Sequence, residues 1–339
     1  MPRQVNRTIP TRAAIGLAVL VAACAAPNPS ASPSPAPSTI PLATASAAPS
    51  SPAPSVNPGP DTRIALSGSG PIGLDVADGR AWVGLVDSGH VSEVDLAAGR
   101  EVNSIAVGFG VSHVVIGDDA VYGSRIDDAG GNSLVIVDPA SGDVTGIQLG
   151  PLESVSVDGA VVWVLQRDGT VRIIDAATGA VRASASVHLD ADAHSEAVPG
   201  GGALWVSGDR TPVHRIDATT AEVGPDIETG GGIPLAFDRG LVWGARPDEA
   251  WAIDAAAGTV SRHVPLDGLA EILAMDVNGD DAWIAARKPG RIGVVVRIDL
   301  ATGSVAGEFG VSLPAGVVID ADRVWVTSYD TNKLLGYRR

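Results

Sequence analysis

The sequence predicts an all-β protein, a seven-bladed β-propeller of four-stranded antiparallel blades. An aromatic residue with β-branched or apolar neighbours recurs seven times, at intervals of 38 to 42 residues. This period is typical of propeller blades. In most repeats, a turn that begins with Asp and ends with Gly follows the aromatic after about a dozen residues. The seven aromatics are Trp82, Tyr122, Trp163, Trp205, Trp243, Trp283 and Trp325.

The first 23 residues have the layout of a secretory signal peptide, with three arginines ahead of an apolar run at residues 13–23. A membrane-spanning helix needs about 20 apolar residues, so this run is too short to be one. It ends in the segment LVAAC at residues 20–24, which resembles the lipobox of bacterial lipoproteins. The resemblance implies cleavage after Ala23 and thioether lipidation of Cys24, the only cysteine. The alternative is a free buried thiol.

Residues 24–60 form a predicted disordered tether that consists almost entirely of Pro, Ala, Ser and Thr after the cysteine. They contain no periodic apolar pattern that would offset the conformational entropy lost on folding. We therefore divide the chain into a signal peptide with lipobox (1–23), a lipidated cysteine and tether (24–60) and a propeller (61–339). The predicted location is extracytoplasmic, lipid-anchored on the outer face of the cytoplasmic membrane.

Each repeat is predicted to contain strand a, a tight turn, strand b with the aromatic, a variable loop, strand c, the Asp-to-Gly turn and strand d. Blade three shows the whole pattern at residues 154–157, 161–165, 171–174 and 181–187. An Asp that begins such a turn and a Gly that ends it are typical of hairpins, which gives these acids a structural role. Blade four keeps Asp217 but has Ala221 in place of the glycine.

The N-terminal strand is predicted to complete the last blade. The seventh repeat reaches Arg339 just after its strand c and so lacks strand d, whereas residues 62–68 resemble the d strands and precede the first strand a. Pairing the two segments closes the ring and removes exposed strand edges that favour aggregation. The competing arrangements are an open stack of blades or two domains.

The last repeat contains VWVTSYDTNK at residues 324–333, and RIDLATGSV stands at residues 297–305. These segments resemble the YVTN-repeat family of β-propellers, although Ser328 stands where the family usually has Asn. The resemblance extends as a pattern over most of residues 62–339. It implies a propeller fold and a secreted location, and it implies no particular activity because the family is functionally mixed.

The net negative charge of the chain limits the partners that it can bind. Its formal net charge is −16, and Lys288 and Lys333 are the only lysines. Such a surface repels nucleic acid and anionic lipid headgroups, so we expect no nucleic-acid partner. A closed ring also makes a monomer the expected state. The expected contact with the membrane is through the lipid on Cys24.

The loops from strand d to strand a and from strand b to strand c emerge on the same face of the disc, which we call the loop face. In five repeats an arginine follows the aromatic by three to five residues and lies in or beside the b–c loop. Guanidinium groups bind carboxylates, phosphates and sulfates through bidentate hydrogen bonds, so they are candidate ligand-binding groups. The alternative is that they pair with nearby acids. These residues are Arg125, Arg167, Arg210, Arg246 and Arg287.

A second candidate cluster lies at the beginning of strand a in blades two to four. His113 and Glu196 occupy equivalent positions relative to their aromatics, with Glu153 and His194 beside them. His and Glu together can bind a divalent metal or act as acid and base. Seven-bladed propellers of the virginiamycin B lyase kind use such a cluster with magnesium, but no motif here matches their catalytic positions. The alternative is satisfied polar residues at the ends of the blades.

The combined interpretation is a noncatalytic lipoprotein whose propeller binds a small anion, a glycan or an envelope protein on the loop face, without a cofactor. The alternative is a metal-assisted lyase or lactone hydrolase that uses the His and Glu cluster with a divalent metal. A third possibility, a cell-envelope assembly partner, is suggested by the tether alone.

Overall fold

The computed structural model describes residues 59–126, 132–190 and 194–339, and these residues form β-strands and loops without a helix. No helix in this part of the chain is therefore long and apolar enough to span a membrane. The signal peptide, Cys24 and the tether up to residue 58 lie outside the described residues.

The strands follow the predicted repeat. The chain begins with β1 (Thr62–Ala65), and blade one contains β2 (Pro71–Ala77), β3 (Arg80–Leu85), β4 (His90–Asp95) and β5 (Arg100–Ala106). Blade two contains β6 (Val114–Ile116), β7 (Val121–Ile126), β8 (Asn132–Val137) and β9 (Val144–Leu149). Blade three contains β10 (Leu152–Asp158), β11 (Val161–Gln166), β12 (Thr170–Asp175) and β13 (Val181–Ser186).

The second half of the ring repeats this order. Blade four contains β14 (Ser195–Gly200), β15 (Ala203–Gly208) and β16 (His214–Asp217). Blade five contains β17 (Leu235–Asp238), β18 (Leu241–Arg246), β19 (Glu249–Asp254) and β20 (Thr259–Pro265). Blade six contains β21 (Glu271–Asn278), β22 (Asp281–Lys288), β23 (Ile292–Asp299) and β24 (Ser304–Gly310), and blade seven contains β25 (Pro314–Asp320), β26 (Arg323–Ser328) and β27 (Lys333–Arg338).

Strand b is deeply buried in the blades, and its sequence explains why. In β11 the run from Val162 to Leu165 is apolar, β-branched or aromatic and fully buried, as suits a strand covered on both faces. Strand a pairs with it in antiparallel register, with Ser156 opposite Trp163. The seven aromatics are all buried, and each packs in the hydrophobic core between its blade and a neighbour.

The Asp-to-Gly turns have the predicted structural role. In blade two, the carboxylate of Asp138 accepts hydrogen bonds from the N–H groups of Ala140 (2.7 Å) and Ser141 (3.1 Å). These bonds stabilise the charged form and lower the pKa of Asp138. Gly142 ends the turn with a φ of 76°, which a residue with a side chain rarely adopts.

The N-terminal strand closes the ring, as predicted. β1 pairs antiparallel with β27, and the sheet order is β1-β27-β26-β25. Ile64 and Leu66 are buried beside Trp325 and Leu334. Asp61 adds an ion pair with Arg323 at 2.7 Å. The first and last segments of the propeller therefore share one blade.

Blade four departs from the four-strand pattern at its outer edge. Beyond β16 it has only two isolated bridges, Val213 with Ile227 and Ile216 with Val223. A proline, Pro225, lies between the bridging residues. Proline has no N–H group to donate to a strand ladder, so a regular strand d is interrupted here.

The seven a strands surround the axis of the disc. In chain order they are β2, β6, β10, β14, β17, β21 and β25, each strand packs against the next, and β25 packs against β2. The d strands lie at the rim. A channel lined by the a strands follows from this arrangement.

Candidate functional site

The central channel has a volume of about 340 Å³ and is lined by residues of all seven a strands. Two positions of strand a recur in it. Residues nine positions before the repeat aromatic form an upper level, nearer the loop face, and those seven positions before it form a lower level. The upper level consists of Gly73, His113, Ser154, Glu196, Pro234, Ala274 and Gly316.

Glu196 is the upper-level residue with an incompletely satisfied carboxyl group. Its Oε2 accepts one hydrogen bond, from the N–H of Leu235 at 3.3 Å, and its Oε1 has no partner among the described residues. Burial raises the pKa of Glu196 to about 7 because water no longer stabilises the charge. Neither lysine nor arginine lines the channel. Glu196 is therefore able to gain or lose a proton near neutral pH.

His113 lies at the same level in blade two. Its Nδ1 is 3.1 Å from the hydroxyl oxygen of Ser124 and 3.3 Å from that of Ser112. Burial lowers the pKa of His113, and the charge of Glu153 opposes this effect only in part. The imidazole is thus held neutral by its surroundings, and its Nε2 makes no hydrogen bond to a described residue.

Two channel acids, Asp75 and Asp276, are absent from the residues that the sequence analysis singled out. Each lies at the lower level, directly opposite its tryptophan across the a–b ladder. One oxygen of Asp75 accepts a hydrogen bond from the N–H of Ile116 in blade two at 2.8 Å, and Asp276 likewise bonds Ile319 in blade seven at 2.7 Å. These acids therefore connect neighbouring blades. Both stand seven residues before a tryptophan, and this shared spacing in the sequence could have indicated that they occupy equivalent positions.

Burial raises the pKa of both lower-level acids, although backbone hydrogen bonds oppose the shift. For Asp276 the pKa rises to about 6, and the negative charges of Asp75 and Asp238 add to the effect of burial. No described lysine or arginine lines the channel, so no side-chain cation of the lining compensates the negative charge of these carboxyl groups.

The four candidates for catalysis or metal binding do not all lie at one site. His113 and Glu196 line the channel, whereas Glu153 does not line it and accepts a hydrogen bond of 2.6 Å from Arg167. His194 is exposed and lines a separate groove. Within residues 59–126, 132–190 and 194–339, no three His, Cys, Asp or Glu side chains are grouped so that they could hold a metal ion.

Four of the five loop arginines are engaged by other groups of the protein. Arg210 is exposed and makes no hydrogen bond or ion pair with any described residue. The partners of the others are the carbonyl oxygen of Val107 for Arg125, Glu153 for Arg167, Asp248 and Glu249 for Arg246, and Glu271 for Arg287.

The groove beside Arg210 has a volume of about 440 Å³ and crosses blades four, five and six on the loop face. His194, Asp209 and Arg210 line it in blade four, Arg246 lines it in blade five, and Glu271 lines it in blade six. Asp209 has no cationic partner among the described residues and accepts only a long hydrogen bond, 3.4 Å, from the backbone N–H of His194. Within the described residues, the groove therefore presents one unpaired guanidinium and one unpaired carboxylate.

No protein-family model matches this chain, and no curated protein matches it. Among solved structures, it is similar to a crystal structure of the computationally designed Ika8 protein, with a TM-score of 0.61 and 14% sequence identity. The match covers 81% of this chain and 99% of that chain. At this identity the likeness shows the fold alone.

Proposed function

We propose that this chain is a noncatalytic, lipid-anchored binding protein of the bacterial cell envelope that captures a small acidic ligand in the groove across blades four to six. The ligand class that fits best is a hydroxylated carboxylate such as an acidic sugar. Its carboxylate would pair with Arg210, and its hydroxyl groups would donate to Asp209.

The observation that carries this proposal is the unpaired state of Arg210 within the described residues. A guanidinium on the wall of a groove offers five N–H donors in a planar fork that matches a carboxylate. The other loop arginines already hold partners, so an anion would have to displace those partners to bind them. Arg210 needs no such exchange.

The location rests on the sequence. The lipobox at residues 20–24 and the Pro-rich segment that follows support an anchor and a tether outside the cytoplasmic membrane. The likeness of the last repeat to YVTN-repeat propellers agrees with a secreted protein. A rigid ring on a tether is suited to presenting a binding face to the surroundings.

The binding proposal has more support than the metal-assisted lyase or lactone hydrolase. That alternative requires His113, Glu153, His194 and Glu196 to act on one substrate. Glu153 is engaged by Arg167, and His194 lines the groove instead of the channel. Turnover of a lactone or glycoside that depends on a divalent metal would favour the enzyme over the binding protein.

Replacing Arg210 with Ala should weaken binding of D-glucuronate, used as a probe, by about 10- to 100-fold. The reason is that a charge-assisted bidentate contact is lost while the rest of the groove remains. Isothermal titration calorimetry of the full chain in detergent, with D-glucose as the uncharged comparison, measures the effect.

The matched control for this test is Arg100→Ala. Arg100 is an exposed arginine at the beginning of β5, on the face opposite the loops, so its removal changes the net charge equally and should leave the affinity unchanged. The proposal is wrong if the unmodified protein binds D-glucuronate no better than D-glucose, or if both variants bind D-glucuronate equally well.

Replacing Cys24 with Ser should move the protein from the membrane fraction to the soluble fraction. The lipid is the only membrane attachment that we propose, and without the thiol no thioether can form. Detergent phase partitioning of cells that express each form measures the shift. Retention of the Cys24→Ser variant in the detergent phase would contradict a lipid anchor at this residue.

A further inference from the structure

The central channel carries acids at two levels without a compensating cation. Glu196 lies at the upper level, Asp75 and Asp276 lie at the lower level, and no lysine or arginine lines the channel. Buried charges in proteins are normally paired or bound to an ion. Asp75 and Asp276 are held by backbone N–H groups, whereas Glu196 has only one long hydrogen bond. Glu196 is thus the least satisfied of the three.

Ser156 gives an independent indication of a missing partner. It lines the channel at the lower level in blade three, the register position that Asp75 and Asp276 occupy in blades one and six. The residue is only 8% exposed. Its hydroxyl group has no hydrogen-bond partner among the described residues. A buried hydroxyl without a partner costs free energy unless a bound group satisfies it.

The acids lie at two levels of the channel. Upper and lower levels are two residues apart along strand a, which corresponds to roughly 7 Å. In blades six, seven and one, the upper-level residues are Ala274, Gly316 and Gly73, which carry a methyl group or no side chain. These positions therefore add no charged side chain at the upper level, and backbone atoms of a neighbouring blade pack closely against Gly73 and Gly316.

We propose that the channel binds a small linear diamine, with one ammonium group on Glu196 and the other at the level of Asp75 and Asp276. An ammonium group has three donors, and each carboxylate retains lone pairs beyond those used by the backbone. The acids are spread over blades one, four and six, and no three of them are grouped so that they could hold a metal ion within the described residues. An elongated organic cation matches this distribution.

Protonation of Glu196 sets the pH dependence of this binding. An ammonium group pairs with the ionised carboxylate, so binding should release a proton below about pH 7, where Glu196 is protonated. The other titratable groups that line the channel are His113, Asp75 and Asp276, and Glu153 acts on His113 from outside it. Burial keeps His113 neutral, so it does not repel the ligand.

The test is calorimetric titration of the full chain in detergent at about pH 8 in about 0.15 M salt, where exposed charges are largely screened. The probes are 1,4-diaminobutane, 1-aminobutane and 1,4-butanediol. The diamine should bind most tightly, the monoamine more weakly and the diol not at all. Glu196→Gln should weaken diamine binding by about 10- to 100-fold.

Two control variants locate the binding site. Glu228→Gln removes the same charge from an exposed position at the outer edge of blade four, and Arg210→Ala changes only the groove. Both should bind the diamine as the unmodified protein does. Equal losses in Glu228→Gln and Glu196→Gln would indicate nonspecific attraction to the acidic surface and overturn the proposal.

Binding of the diol as tightly as the diamine, or no diamine binding, would also overturn the channel proposal. Neither result affects the groove, because binding of D-glucuronate depends on Arg210 and is measured separately. Conversely, loss of the acidic-sugar proposal would leave the diamine result unchanged.

Discussion

Deleting residues 62–66 should lower the free energy of unfolding by at least about 4 kcal/mol. The deletion removes β1 together with the buried side chains of Ile64 and Leu66, and each such side chain contributes about 2 kcal/mol or more. It also exposes the N–H and C=O groups of β27 along a new sheet edge, which favours aggregation. Urea unfolding, together with light scattering at rising protein concentration, measures both effects.

The matched control is a deletion of the same length in the predicted tether, residues 31–35. Because these residues belong to no blade in the proposed domain organisation, the control should unfold at the same urea concentration as the unmodified chain. If the two deletions had equal effects, ring closure by β1 would not be a major source of stability.

Much of the fold was predictable because one blade repeats the same local chemistry seven times. The aromatic in strand b needs a strand buried on both faces, and the Asp and Gly of the c–d turn need a tight hairpin. The chain therefore specifies its strands locally, and the match between residues 62–68 and the d strands predicted the closure. The outer edge of blade four was not predicted, although Ala221 and Pro225 were visible departures from the repeat.

Side-chain partners were less predictable than strands. The register correctly placed His113 and Glu196 at one level, since both lie nine residues before an aromatic. Glu153 is one position away from that level, at a bulge between Leu152 and Ser154, and its carboxylate is held by Arg167. Which of two adjacent residues faces the channel depends on such bulges, and sequence spacing alone does not reveal them.

The arginines show the same limit. The alternative that they pair with acids close in sequence holds for Arg246, which binds Asp248 and Glu249. Arg167 and Arg287 instead bind Glu153 and Glu271, which lie 14 and 16 residues earlier, in strand a. Because antiparallel strands bring distant residues together, the nearest acid in sequence is not always the partner in space. That Arg210 pairs with none of the described residues was visible only in the structure.

Glu196→Gln should remove a pH dependence of stability. The folded-state pKa of Glu196 is about 7, above its ordinary value of 4.5, so the folded protein binds this proton more tightly than the unfolded chain does. The stability that protonated Glu196 contributes is fully present below pH 4.5 and is lost as pH rises through about 7. A pKa difference of one corresponds to about 1.4 kcal/mol, so the loss is about 3 kcal/mol at most.

Glutamine resembles protonated glutamate in shape, and its amide oxygen can still accept the hydrogen bond from the Leu235 N–H. The variant should therefore be more stable than the unmodified protein at about pH 8 and nearly equal to it at about pH 4.5. Urea unfolding of both proteins across this range measures the difference, with Glu228→Gln as the exposed control that should follow the unmodified protein. Protonated Asp276 also stabilises the folded protein, and this stability is lost as pH rises from 3.8 through about 6. This second pH-dependent loss of stability should remain in both variants. If Glu196→Gln followed the pH profile of the unmodified protein throughout, Glu196 would not be the uncompensated channel acid on which the diamine proposal depends.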